Sequence, residues 1–334
     1  MHSKSYLVIG SNSFTGSHIV DALLDNPQNC VVGVSRSPEY KDIFLPYKRH
    51  SLDRYRFHPI DLTKQFDELT KLIEAVKPQV IINVAALSEV GLSNERPVEY
   101  FETNTLTVVK LCNYLRQQTY LERYVHISSA EIFGSCEKPV HEEALFNPNT
   151  PYAVSKAAAD MYLNVLIKNF NFPALLIRTT NVYGRHQQLF KIIPRTIIYL
   201  KLGKKIQIQG GGKAIKSFIH IRDAVRGMLL AIDYGQSGTY HFSMDSDQTV
   251  ADVIALICRR MGYDFKTSTV VSDDRVGQDN RYWLDCSKAE RELKWKPLVS
   301  FEQGVSEVMA WIEGNWSAIQ KEPLTYIHKV GAGP

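Results

Sequence analysis

Short, mainly apolar runs with β-branched residues recur along the first half of the chain, at positions 6–9, 30–34, 80–84, 124–127 and 174–177. Stretches with helical periodicity separate them, at 15–24, 64–76, 98–116 and 153–169. The runs are continuously apolar rather than alternating, as expected of strands covered on both faces by crossover helices. The pattern therefore predicts α/β architecture, a Rossmann-type doubly wound parallel sheet. After about residue 180 the elements shorten, with turns at Gly203, Gly210-Gly-Gly212 and Gly235–Gly238. The expected division is a dinucleotide-binding domain over 1–180, to which later segments can return, and a smaller α/β substrate lobe over 181–328. Its last clear helix is expected at 301–311, and the tail 331–334 is expected to be loose.

Composition narrows this picture without changing it. The 334 residues suit one large or two unequal domains. The apolar fraction of 44% and charged fraction of 22% are those of an ordinary globular protein. No apolar run approaches the ~20 residues needed to span a bilayer. The first strand begins almost at once, so no secretory signal is expected before it and a cytoplasmic protein is anticipated. A net charge of +4 arises from 39 basic and 35 acidic residues scattered along the chain, which argues against a nucleic-acid partner. The five cysteines have no metal-ligand spacing, so reduced thiols and no metal are expected.

Gly10-Ser-Asn12-Ser13-Phe14-Thr15-Gly16 directly follows a strand and opens a helix, the context of a dinucleotide-binding loop. Gly10 allows the tight turn and Gly16 close helix–strand packing, while the helix N-terminus offers free N–H groups to a pyrophosphate. Ser13 stands where the fingerprint usually has glycine. The second strand ends Val34-Ser35-Arg36-Ser37. An acid here would hold the 2′-hydroxyl of NAD, whereas arginine accommodates the 2′-phosphate of NADP, so Arg36 favours NADP over NAD. Asp61-Leu62, after a candidate third strand, can reach the adenine; Asp61 can equally serve a helix N-terminus.

The chemistry is carried by Tyr152 and Lys156 in Pro151-Tyr-Ala-Val-Ser-Lys156, and by Ser128-Ser129-Ala130-Glu131 at the end of an apolar run. Residues i and i+4 share a helix face, so the Lys156 ammonium is expected beside the Tyr152 phenol. A neighbouring cation favours the phenolate and brings the phenol towards useful proton transfer.

With these residues in view, the chain resembles extended short-chain dehydrogenases/reductases, and among them nucleotide-sugar 4,6-dehydratases. The resemblance spans nearly the whole length. It includes Asn83-Val-Ala85-Ala86, Glu102-Thr-Asn104, Ser128–Gly134, Tyr152–Lys156, Arg178–Gly184, Phe190–Pro194, Ser217–Asp223, Asp274–Tyr282 and Leu293–Pro297. It implies that Tyr152, assisted by Lys156 and Ser129, takes the sugar 4-hydroxyl proton while hydride leaves C4 for NAD(P). Glu131 then takes the C5 proton, the 6-hydroxyl departs as water, and hydride returns to C6. Ala85, Ala86 and Asn104 are implied as cofactor neighbours.

Ser88, Asn181, Lys191, Gln207, Lys216 and Arg281 are implied around the nucleotide-diphosphate hexose, with Glu89 and Gln209 close by. Ala130 departs from the dTDP-glucose pattern, which places an acidic aspartate there, and in this respect resembles the GDP-mannose group. A 4-epimerase or uronic acid decarboxylase is the nearest alternative, and a redox-sensing module without catalysis a more distant one. The resemblance also implies a homodimer joined through a four-helix interface of 98–116 and 153–169.

Overall fold

The computed structural model describes residues 4–273 and 279–327, so the expectations for 274–278, for residue 328 and for the tail 331–334 lie outside the described residues. Six strands alternate with helices at first: β1 (Ser5–Ile9), β2 (Cys30–Ser35), β3 (Tyr55–Pro59), β4 (Val80–Asn83), β5 (Arg123–Ile127) and β6 (Ala174–Thr179). Five follow: β7 (Asn181–Tyr183), β8 (Ile206–Gln209), β9 (Phe218–His220), β10 (Gly238–Phe242) and β11 (Thr269–Ser272). The main sheet has seven strands in the order β10-β6-β5-β4-β1-β2-β3, every pair parallel. Order reverses between β1 and β4, opening the crevice in which doubly wound sheets bind ligands.

Alternate side chains of one strand enter different cores, which explains the unbroken apolar runs. In β1, Tyr6 and Val8 join a cluster with Trp295 and Phe242, whereas Leu7 and Ile9 join one with Leu111, Leu163 and Tyr124. Both faces are covered by helices, so neither tolerates a polar side chain without a partner.

The later chain is divided between two places. Helix Ile221–Tyr234 and β10 complete the main sheet, with β10 pairing to β6 from Gly238↔Leu175 to Phe242↔Thr179. The parallel pairs β8–β11 and β7–β9 stand apart from it. Helices Ile192–Lys201, Val250–Met261 and Phe301–Gly314 share a core of their own through Ile197, Ile257 and Val308.

One helix departs from expectation. The stretch anticipated as continuous over 98–116 consists of helix Pro97–Phe101, a π turn Glu102–Leu106 and helix Thr107–Leu115. Widened turns of this kind occur frequently at functional sites, and this one carries Asn104. Among the described residues no helix is long and apolar enough to cross a membrane.

Candidate active site

A cleft of about 490 Å³ runs along the C-terminal ends of β1, β2, β4, β5 and β6. Its walls include Gly10, Asn12, Ser13, Phe14, Thr15, Arg36, Asp61, Leu62, Ala85, Ala86, Ser88, Ser129, Glu131, Tyr152, Lys156, Asn181 and Lys191. Residues widely separated in sequence thus line one space.

At its dinucleotide end the loop conformation explains the glycines. Gly10 has φ +89°, and a Cβ there would come within 2.6 Å of the Ala85 nitrogen. A Cβ on Gly16 would meet the Gly10 carbonyl oxygen at 2.1 Å. Gly16 therefore supports the loop from behind and does not line the cleft. Ser13 is the N-cap of helix Phe14–Leu24, its Oγ accepting from the Gly16 N–H at 3.0 Å. The serine thus satisfies a donor that glycine would leave free. Asn12 donates from Nδ2 to the carbonyls of Ser37 and Pro38, each at 2.8 Å, and its backbone N–H donates to Ser35 Oγ at 2.9 Å. These bonds fix the segment that carries Arg36. Asp61 Oδ1 accepts from the Thr63 N–H and hydroxyl at 2.9 and 2.7 Å, the turn role that its position also allows. The buried Asn12 Oδ1 has no protein partner. The backbone cradle, helix N-terminus and unpartnered acceptor together fit a nicotinamide dinucleotide.

The catalytic candidates come from two adjacent elements. Thr150 caps helix Pro151–Phe170, its Oγ1 accepting from the Ala153 N–H at 3.2 Å, with Pro151 at the first helical position. Beyond β5, Ser129 caps the short turn Ala130–Phe133 and accepts from the Glu131 N–H at 3.2 Å. The Ser129 side chain shares the cleft wall with the Tyr152 phenol. Burial, and then the charge of Glu131, raise the Tyr152 phenol well above its ordinary range, with Ser129 acting to lower it.

The Lys156 ammonium is held differently from what helix spacing suggests. Its Nζ donates to the Ile127 carbonyl at 2.7 Å and lies 3.1 Å from His126 Nε2. Burial brings Lys156 down to about 8, opposed by the negative charge of Asp160. Asp160 in turn accepts from Arg178 Nε at 2.9 Å, a pair shut away from solvent. Glu131 is raised to about 7, chiefly by burial, with Lys216 and Lys191 opposing and Asp279 reinforcing. A carboxyl poised there can exchange a proton near neutrality.

The remaining expected residues are placed less uniformly. Lys191 and Glu89 meet as an ion pair at 3.3 Å on the cleft wall. Asn181 lines the cleft while its Nδ2 donates to the Ser217 carbonyl at 3.2 Å. Asn104, implied as a cofactor neighbour, is instead spent on protein. Its Oδ1 accepts from the Leu87 N–H at 2.9 Å, and its Nδ2 donates to the Leu87 carbonyl and Ser155 Oγ, both at 3.0 Å. It joins the loop after β4 to the helix bearing Tyr152 and Lys156. Gln207 points outward from β8 and does not line the cleft, because the inward positions of that strand are Ile206 and Ile208.

Nor does Arg281 line the cleft; it bonds Asp247 at 2.6 Å and stacks 3.6 Å from the Trp283 ring centroid. Its charge is already neutralised within the protein. Lys216 donates to the Asp279 carbonyl at 2.9 Å and sits 4.2 Å over the Tyr282 ring. Tyr282, the last residue of the 274–282 motif but given no role there, lines the cleft together with Gln187 and Tyr326, which lie outside any motif.

Comparison with known proteins agrees with this geometry. The chain is similar to the dTDP-glucose 4,6-dehydratase of Haemophilus influenzae, 27% identical over 93% of this chain and 98% of that protein. It is also similar to the dTDP-D-glucose 4,6-dehydratase of Mus musculus, 28% identical over 94% of this chain and 90% of that one. The solved structure of DesIV, a dTDP-glucose 4,6-dehydratase from Streptomyces venezuelae with NAD and TYD bound, matches with a TM-score of 0.87 and 28% identity, covering 96% of this chain and 100% of that one. The family model described as GDP-mannose 4,6 dehydratase matches residues 7–308, and the chain belongs to that family.

Proposed function

We propose that this chain is a lyase that converts a nucleotide-diphosphate hexose into its 4-keto-6-deoxy derivative, with Tyr152, Lys156, Ser129 and Glu131 carrying the proton transfers. The observation that carries this reading is Glu131. A carboxyl raised to about 7 stands beside the Tyr152–Ser129 pair in the cleft, where a 4-epimerase needs no base at C5. Bound nicotinamide dinucleotide supplies the acceptor and donor for the hydride that leaves C4 and returns to C6.

Tyr152 removes the 4-hydroxyl proton, with Ser129 beside the phenol and Lys156, tethered to the Ile127 carbonyl, providing positive charge on the same cleft wall. The 4-keto group acidifies C5–H, and Glu131 accepts that proton. The C6–O bond then breaks and water leaves, and C5 takes up a proton from solvent as hydride returns to C6. Lys191, on the cleft wall, supplies positive charge for the nucleotide diphosphate, and Asn181 and Ser88 line the same cleft.

The dinucleotide is assigned as NADP. Arg36 lies at the end of β2, where no carboxylate stands, and the nearby Glu39 is occupied by Tyr47 and Lys48. A second copy of this chain is assigned to the apolar stripe formed by Val98, Leu106, Met161 and Val165, exposed by 68, 52, 61 and 49%.

The deciding experiment incubates the protein in D₂O with dTDP-, UDP-, CDP- and GDP-linked hexoses and follows product mass. Loss of water with one deuterium gained at C5 is expected for one substrate. Isomerisation without loss of water would remove Glu131 as a C5 base and replace this reading with an epimerase.

A further inference from the structure

Elimination from C5 and C6 needs a base for the C5 proton and an acid for the departing 6-hydroxyl. Next to Glu131 the chain has Ala130, which is buried and donates nothing. Glu131 must therefore perform both tasks, and each requires a different protonation state. A carboxyl that alternates in this way needs a neighbour able to stabilise both states.

The structure supplies such a neighbour from an element far away in sequence. Tyr282 lines the same cleft as Glu131 and Tyr152. It is 7% exposed, and burial together with the charges of Glu131 and Asp279 raises its hydroxyl well above the ordinary range. Asp279 is 2% exposed and fixed by donors, with Oδ1 accepting from Ser135 Oγ at 3.1 Å and from Asn149 Nδ2 at 2.5 Å. These two donors hold the Asp279 carboxyl in a fixed orientation. Lys216 Nζ lies 4.2 Å from the centroid of the Tyr282 ring, and the Tyr282 backbone carbonyl accepts from Ser217 Oγ at 3.2 Å, which fixes the segment that carries the ring. Glu131 Oε2 is buried without a protein partner.

A phenol has one proton and can donate it to only one carboxylate at a time, while its oxygen also accepts. When Glu131 is ionised, the Tyr282 hydroxyl donates to it. When Glu131 is protonated, the hydroxyl donates to Asp279 and its oxygen accepts from the Glu131 O–H. One small rotation of the O–H bond therefore serves both states.

We propose that Tyr282, anchored by Asp279, is the positioning residue that lets Glu131 act first as base and then as acid, in place of the acid absent at residue 130. The inference rests on the dehydratase reading above. The elimination balances within the group, and the proton that C5 regains when hydride returns to C6 comes from solvent. Glu131 gains the C5 proton and passes it to O6 as the C6–O bond breaks, water departs, and Glu131 returns to its carboxylate. Tyr282 gains and loses nothing.

The test compares Tyr282→Phe and Asp279→Asn with the wild type, using a sugar nucleotide that the wild type dehydrates and its 6-deoxy-6-fluoro analogue. Fluoride leaves without a proton, so the analogue needs the base but not the acid. Tyr282→Phe is expected to lower kcat on the 6-hydroxy substrate about ten- to a hundred-fold with KM changed by less than about three-fold. The deficit should shrink to within about three-fold on the fluoro substrate.

Glu131 is faced by Lys216, Lys191, Asp279, Tyr282 and Tyr152. Losing the Tyr282 donor should move the acid limb of the pH profile upward. Losing the Asp279 charge should move it downward. Opposite shifts are not expected of general loosening. Equal deficits on both substrates, an unchanged kcat, or limbs that do not move would overturn the proposal. Should Tyr282→Phe lack a cooperative melting transition, the downward shift in Asp279→Asn decides alone. If the wild type dehydrates no sugar nucleotide, the dehydratase reading itself fails, which is a separate result.

Discussion

Lys156 donates from Nζ to the Ile127 carbonyl at 2.7 Å, so its ammonium is tethered to the end of β5, two residues before Ser129. The tether holds the ammonium at the wall of the cleft and ties helix Pro151–Phe170 to the sheet. Lys156→Met should remove both effects, lowering turnover by about 10²-fold or more with the fold retained. Lys156→Arg should not restore activity, because a planar guanidinium cannot occupy a pocket shaped for a point charge between Ile127 and His126. Steady-state kinetics with circular dichroism checks both.

Tyr152→Phe keeps the ring in its T-shaped contact with Tyr100, at 6.4 Å between centroids, and deletes only the hydroxyl. Turnover should fall by about 10²–10⁴-fold while dinucleotide binding, followed by fluorescence, is unchanged. Near-normal turnover would exclude Tyr152 as the base for the 4-hydroxyl.

The pH dependence of kcat/KM should be bell-shaped. Glu131, raised to about 7, must be ionised to take the C5 proton, so activity falls as pH drops below that value. Lys156, lowered to about 8, loses its charge above that value, and activity falls again. Lys156→Met should remove the upper limb and leave the lower one in place, measurable in its residual activity.

Glu131→Gln should stop loss of water while leaving C4 oxidation detectable, and it should also stabilise the protein at alkaline pH. The folded carboxyl titrates above its ordinary value, so its stabilising contribution is complete below the unfolded pKa and is lost as pH rises through about 7. Glutamine escapes that loss. The gain should reach roughly 1–3 kcal/mol at pH 8 and vanish near pH 4, as measured by denaturant unfolding at the two pH values.

Asn104→Ala should weaken the joint between the loop after β4 and the catalytic helix. Three hydrogen bonds disappear, and the Leu87 backbone groups are left buried without that partner. A loss of about 1–3 kcal/mol is expected. Arg36→Ala should raise the Kd for NADP by about ten-fold and leave that for NAD nearly unchanged, read by titration with each dinucleotide.

Much of this protein is written locally. Continuous apolar runs give parallel strands covered on both faces, because a strand between two helical layers has no face for polar residues. Gly10 and Gly16 report backbone approaches that a Cβ would block, and Tyr152 with Lys156 reports one helix face. Ser129 and Glu131 sit two residues apart at a strand end, where the sheet topology directs them to the crevice. These signals arise within a few residues and need no knowledge of distant contacts.

The tertiary structure decided what depends on residues far apart in the chain. It turned Asn104 from a cofactor neighbour into a joint with Ser155, and it paired Arg281 with Asp247. It carried β10 back to the edge of the main sheet, against β6. It also brought Glu89 to Lys191, and Tyr282 and Asp279 to Glu131. Sequence lacks these relations because a side chain's charge and proton affinity are set by the atoms packed around it. Those atoms come from segments whose proximity exists only once the chain has folded.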